Sequence, residues 1–306
     1  MRIGTSVAEP TGPDALSELR DQLQRAADEG FTSAWMSNIF GLDALTALAV
    51  AGSQVPGIEL GTAVVPTYPR HPAVLAQQAL TASLAVGGRL TLGIGLSHKI
   101  VIDDMYGYSF DRPARHMREY LSILLPLLDG QPASFHGETM RAAIGLSVPQ
   151  PGPRPERVPV LLAALGPQML RIAGERTDGT VLWMTGPATV RDYVVPSITQ
   201  AAAAAGRPGP RVVCLLPVCV TDDVPGARAR AQEVLAIYGQ LPSYRAMLDR
   251  EGAEGPGDVA IAGDEDTVTA QITALAEAGV TDFIGVEYSR GDDQERTRAL
   301  LKSLIG

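Results

Sequence analysis

The chain has 306 residues, 45% of them hydrophobic and 19% charged, with a net charge of −9. That length accommodates one large α/β unit with a sizeable core, and the composition argues against general disorder. An acidic chain whose cations are scattered arginines, with lysine only at Lys99 and Lys302, argues against a nucleic-acid partner.

No apolar run is long and clean enough for a membrane span. The opening MRIGTSVAEP reads as a first strand and lacks the apolar core of a signal peptide, so a cytoplasmic protein without membrane attachment is expected.

In chain order, RIGTSV (2–7) predicts a strand and residues 14–29 a helix, with Gly30 suited to end it. TSAWMS (32–37) precedes a helix over 42–51, and IELGTAVV (58–65) precedes one over 71–85. RLTLGIG (89–95) leads through an irregular segment into a helix over 112–128. VPVLLAA (158–164), GTVLWM (179–184) and RVVCLLPVCV (211–220) follow, each with helical sequence behind it. TDFIGVEY (281–288) is the last strand, and a helix over 292–304 closes the chain.

Eight apolar strands, each followed by a helix, predict a parallel sheet closed into a (β/α)8 TIM barrel, with residues 1–306 as a single domain. A doubly wound open sheet is the rival, but GTSVAEPTGPD does not supply its GxGxxG turn. Two insertions exceed a minimal barrel. Residues 130–157, after the fourth helix, predict a hairpin and a Pro-rich link. Residues 221–262, after the seventh strand, predict a pair of helices ahead of a helix over 265–278. Cys214 and Cys219 are five residues apart in one strand, so they face opposite sides and read as buried thiols.

A barrel of this kind carries its site at the carboxyl ends of the strands. After the second strand, Asn38 can orient a ligand or cap a helix, and Ile39 and Phe40 offer an apolar wall. After the third, Ala63-Val64-Val65 followed by Pro66, Pro69 and Pro72 either carries a bulge or simply ends the strand and starts a helix. After the fourth, Gly93 and Gly95 permit close backbone approach, and His98 can exchange a proton near neutral pH or stand solvated on its loop. His71, His116 and His136 lie in helical or inserted sequence and read as structural. After the fifth and sixth strands, Gly166-Pro167 and Gly186-Pro187 each open a helix. As a neighbouring pair they can hold one phosphate, with the Thr185 hydroxyl beside it.

Several chemistries are disfavoured. Only Lys99 approaches a strand end, which argues against a Schiff-base aldolase. No His/Asp/Glu set converges from several strands, so no metal is expected. Asp103 and Asp104 are adjacent in one loop, a poor glycosidase pair. An apolar site short of acid–base groups suits a cofactor that carries the chemistry while the protein orients it.

At GFTSAWMSNIFGLDALTALAV, LGTAVVPTYPRHPAVLAQQALT, GGRLTLGIGLSH, VPVLLAALGPQMLRIAGERTDGTVLWMTGP and AGVTDFIGVEY the sequence resembles the luciferase-like monooxygenase family, in its branch that uses the deazaflavin coenzyme F420. The resemblance spans nearly the whole chain in order. It implies a bacterial-luciferase-like barrel with the cofactor ring across its mouth, resting on a bulge with a non-prolyl cis peptide that matches Ala63-Val64. It places the phosphate near Ala164, Leu165, Gly166 and Pro167, with Met184, Thr185 and Gly186 as a second contact. Where some relatives carry an active-site histidine this chain has Ile39, next to Asn38. Where sugar-phosphate-oxidising relatives carry a glutamate it has His98.

The function expected is hydride transfer between coenzyme F420 and a small organic substrate, with Asn38 and His98 on the substrate side. The alternatives are an FMN-dependent monooxygenase served by a separate flavin reductase, or a non-catalytic F420- or flavin-binding protein. Relatives suggest a homodimer.

Overall fold

A computed structural model describes residues 1–149 and 157–306. Its strands are β1 (Arg2–Ser6), β2 (Ser33–Met36), β3 (Glu59–Thr62), β4 (Val65–Pro66), β5 (Leu90–Gly95), β6 (Ala133–His136), β7 (Arg141–Ile144), β8 (Val160–Ala163), β9 (Gly179–Trp183), β10 (Arg211–Val220), β11 (Ile261–Gly263) and β12 (Asp282–Glu287). Parallel pairing runs β1-β2-β3-β5-β8-β9-β10-β12 and returns to β1, which closes an eight-stranded barrel. Each of the eight strands read from the sequence is one of its staves. Their apolar runs follow from burial on both faces, helices outside and barrel core inside.

The helices also begin where local chemistry starts them. Asp43 caps Ala44–Gly52 by accepting from the Thr46 amide, and Asp264 does the same for Glu265–Glu277 from Thr267. His71 caps Pro72–Ala85 through its ring nitrogen, a structural role as expected. Among the described residues no helix is long and apolar enough to cross a membrane.

The two insertions depart from the minimal barrel in different ways. β6 and β7 form the expected antiparallel hairpin. The Pro-rich link expected after it falls largely outside the described residues. The second insertion is more divided than a pair of helices: Val224–Val234, Ala236–Gln240, Pro242–Glu251 and Pro256–Val259 are separate, and β11 then pairs with the end of β10. The break at Leu235 lies inside an apolar-periodic stretch, so the sequence reads through it. The irregular segment after β5 contains a turn of π-helix at Ile100–Met105.

Register identifies the departure that matters for the site. Leu60 pairs with Leu90 and Gly61 with Thr91, but Val65 pairs with Ile94 and Pro66 with Gly95. The offset falls by one, so the β3–β4 edge holds one residue more than β5 opposes. That is a β-bulge. The Thr62 hydroxyl bridges the gap, donating to the Gly93 carbonyl at 2.8 Å and accepting from the Gly93 amide at 2.9 Å. The Ala63–Val64 peptide within the bulge is cis.

Candidate active site

The bulge turns two small apolar residues onto the top of the barrel core. Trp35, Leu161, Val181, Val213, Leu215 and Ile284 pack together inside the barrel, all nearly inaccessible. Above them lie half-buried Ala63, Val64, Trp183 and Val286, contributed by the bulge, β9 and β12. These four make a partly exposed apolar shelf. Glycine on the neighbouring strand makes room for it. A Cβ at Gly95 would stand 2.7 Å from Val64 Cγ2 and 3.3 Å from Ala163 Cβ, and one at Gly93 would overlap the Thr62 carbonyl oxygen. The close backbone approach expected of these two glycines is therefore an approach of the bulge.

His98 rises from the loop after β5 and is half-buried beside the second insertion, its ring 5.6 Å from that of Tyr244. Tyr244 packs edge-on against Tyr238 at 5.2 Å, and Tyr238 against Trp183 at 5.7 Å. An aromatic wall thus links the His98 loop to the shelf. Burial draws the His98 pKa below the usual histidine value, so its ring is neutral at pH 7. Burial pushes both tyrosine hydroxyls up, which keeps them protonated there.

Asn38 follows β2, and its side-chain oxygen accepts from the Ala44 amide at 3.0 Å. The helix-capping reading of Asn38 accounts for that oxygen, and its amide nitrogen is the part left to meet a ligand. Ile39 and Phe40 beside it are exposed.

The two Gly-Pro helix starts differ sharply. At Gly186-Pro187 the Glu251 carboxylate accepts from the Ala188 amide at 3.1 Å and the Thr189 amide at 2.7 Å. Met184, Thr185 and Gly186 are all buried, Met184 against Leu248 and Val259 from the second insertion. At the turn expected as a second phosphate contact, these two amides are thus already taken by a carboxylate of the chain itself. At Gly166-Pro167 no side chain caps the helix Pro167–Arg176, and a Cβ at Gly166 would meet nothing within 4 Å. Leu165 and Gly166 are half-buried, Pro167 is exposed, and Ala164 is buried beneath them. This start opens on a cleft of about 520 Å³ that also reaches Leu96, on the loop after β5.

The description "luciferase-like monooxygenase" matches residues 1–282. The chain belongs to that family. Among its relatives, a 5,10-methylenetetrahydromethanopterin reductase of Methanopyrus kandleri is 27% identical, over 94% of this chain and 93% of the relative. A putative coenzyme F420-dependent oxidoreductase of Mycobacterium tuberculosis is 28% identical, over 84% and 86%. The solved structure of coenzyme F420-dependent tetrahydromethanopterin reductase from Methanopyrus kandleri superposes with a TM-score of 0.82 at 23% identity, covering 99% of this chain and 98% of that one. The luciferase-like barrel expected from the sequence is thus the fold of this family member.

Three parts of the site escape sequence reading. Trp183 sits in the run VLWMTG and reads as core, although its inward phase with Val181 puts it at the mouth. Tyr238 and Tyr244 lie in an insertion without strand periodicity. Glu251 meets its helix start from more than sixty residues away, and no local signal announces that.

Proposed function

We propose that this family member is an oxidoreductase that moves hydride between the deazaflavin coenzyme F420 and a small organic substrate at the barrel mouth. The observation that carries the reading is the pairing of an apolar shelf at the Thr62–Val65 bulge with an uncapped helix start next to it. Gly95 and Ala163 close the interval between them. A planar ring bearing a phosphate fits that arrangement: Ala63, Val64 and Trp183 under the ring, and the free amides beyond Gly166 toward the anion. The 28% identical relative and the Methanopyrus kandleri structure named above, both described as F420-dependent, support this coenzyme.

When bound, the deazaflavin supplies the carbon that gives or takes hydride. The chain's own residues do the rest. The shelf fixes one face of the ring and leaves the other to substrate. His98, neutral at pH 7, exchanges the proton that accompanies hydride at a substrate oxygen or nitrogen. The Asn38 amide nitrogen donates to the same polar atom. The second insertion screens the mouth from water with Tyr238 and Tyr244.

Tryptophan fluorescence tests the reading, because the chain has two tryptophans and Trp183 lies on the shelf. Oxidised F420 titrated at micromolar concentration is expected to quench it, with FMN weaker. Preference for FMN together with oxygen consumption would favour the monooxygenase alternative. Tight F420 binding with no substrate-dependent bleaching across a panel of alcohols, carbonyls and imines would favour a binding protein. Failure of both cofactors to bind would overturn the proposal.

A further inference from the structure

The bulge is held at its entry by Thr62 and at its exit by a separate set of contacts. Past β4 the Thr67 amide donates to the Gly95 carbonyl at 2.9 Å. The buried Thr67 hydroxyl shares a hydrogen bond of 3.0 Å with His116 Nε2, on the helix Pro113–Leu128. The His116 ring stacks on that of Tyr68 at 3.8 Å, with an interplanar angle of 3°. Tyr68 in turn stacks on Phe110 at 5.3 Å, and Tyr120 lies 5.6 Å from His116 on the helix side. The Phe110 amide donates to the Asp103 carboxylate at 2.7 Å. Asp103 belongs to the π-helical turn at Ile100–Met105, where the Val101 and Ile102 amides donate to the His98 carbonyl at 2.9 and 3.0 Å. A column of rings thus runs from the end of the shelf to the loop that carries His98. The Tyr68 hydroxyl is buried and makes no hydrogen bond among the described residues, so the ring face is what Tyr68 contributes. Ser97, just before His98, has a left-handed φ of 62°, which a non-glycine residue keeps only where its surroundings impose it.

We propose that Thr67, Tyr68 and His116 are positioning residues that lock the His98 loop to the exit of the bulge, and so fix the spacing between the shelf and the proton-exchanging group. The inference rests on the oxidoreductase reading, in which the ring lies on the one and the proton passes through the other. Hydride and proton must move at a common substrate, and a misplacement of about 1 Å costs heavily in rate. The backbone bond from Thr67 to Gly95 fixes the near end of the loop, and the Tyr68 ring meets its far end at Phe110. His116 ties both to a long helix. Burial draws its pKa down to about 4, so at pH 7 the imidazole takes the Thr67 bond without bringing a charge into the core.

The test is amide hydrogen exchange of the whole chain without cofactor, read over residues 97–108 at labelling times before β10 and β12 exchange. Tyr68→Leu is expected to speed exchange there about 5- to 10-fold, and Tyr68→Phe, which keeps the ring, to restore it. Thr67→Val and His116→Phe remove the same hydrogen bond from its two sides. Each should speed exchange over 97–108 about 3-fold, and the double variant no more than either alone. Wild-type exchange over 97–108 in Tyr68→Leu, acceleration confined to residues 66–71, or additive effects of Thr67→Val and His116→Phe overturns the proposal. Should Tyr68→Leu fail to fold, the Thr67 and His116 variants decide by the same criteria. Because no cofactor is present, a chain that fails to bind F420 overturns the oxidoreductase reading and leaves the link to be decided by exchange alone.

Discussion

Gly95→Ala bears most directly on the shelf. The added Cβ would stand 2.7 Å from Val64 Cγ2 and 3.3 Å from Ala163 Cβ, against the roughly 3.5–4.0 Å of a relaxed carbon contact. About 1 Å of overlap falls on a β-branched side chain with one stiff torsion, so Val64 can yield only by leaving its rotamer or shifting the bulge. Overpacking of this size costs about 1–3 kcal/mol. At about 2 °C per kcal/mol for a chain this large, the thermal midpoint falls by roughly 2–6 °C. The larger effect is on the ring-binding surface, where a displaced methyl group lifts any planar ligand; F420 affinity is expected to weaken about 10-fold or more. Val64→Ala in the Gly95→Ala background returns the missing space, so stability should partly recover, with a coupling of about 1 kcal/mol. Calorimetry and fluorescence titration of the four proteins supply the cycle. Strict additivity, with coenzyme affinity unmoved by Gly95→Ala, would refute the reasoning.

Three further outcomes are expected. Glu251→Ala leaves the Ala188 and Thr189 amides without their acceptor and should cost about 1–2 kcal/mol in urea unfolding; an unchanged midpoint would mean the carboxylate does not hold that helix start. His98→Gln should lower turnover about 100-fold while coenzyme affinity is kept, and the acidic limb of the wild-type rate profile should lie below pH 6.5, because burial lowers the His98 pKa; an unchanged profile in the variant would remove His98 from the proton path. His116, buried and stacked 3.8 Å from the Tyr68 ring, has its pKa drawn down by burial to about 4. The unfolded chain therefore binds the extra proton between about pH 6.5 and 4, so stability should fall by about 3 kcal/mol as pH drops through that window. Denaturant midpoints for wild type and His116→Gln measure this, and equal slopes would contradict it.

Much of the barrel is legible in the sequence because its staves are buried on both faces and read as unbroken apolar runs. RVVCLLPVCV at β10 is the plainest case. The corner after β3 is legible as a place, from its prolines, but the bulge itself is a matter of register against β5 and emerges only when the strands are paired. β11 escapes because it is a three-residue strand among short helices. The two Gly-Pro starts look alike as sequence, and what separates them is tertiary: Glu251 reaches one, and no side chain caps the other. Asn38 shows the same limit: the sequence leaves capping and ligand binding open, and only the folded chain shows its side-chain oxygen taken by the Ala44 amide.

A crystal structure of the chain soaked with oxidised F420 tests the central claim most directly. The ring is expected in van der Waals contact with Val64 and Trp183, the phosphate within hydrogen-bond reach of the Gln168 and Met169 amides, and His98 toward the open face of the ring. A ring bound away from the bulge, or a phosphate held elsewhere than Gly166, would contradict the account.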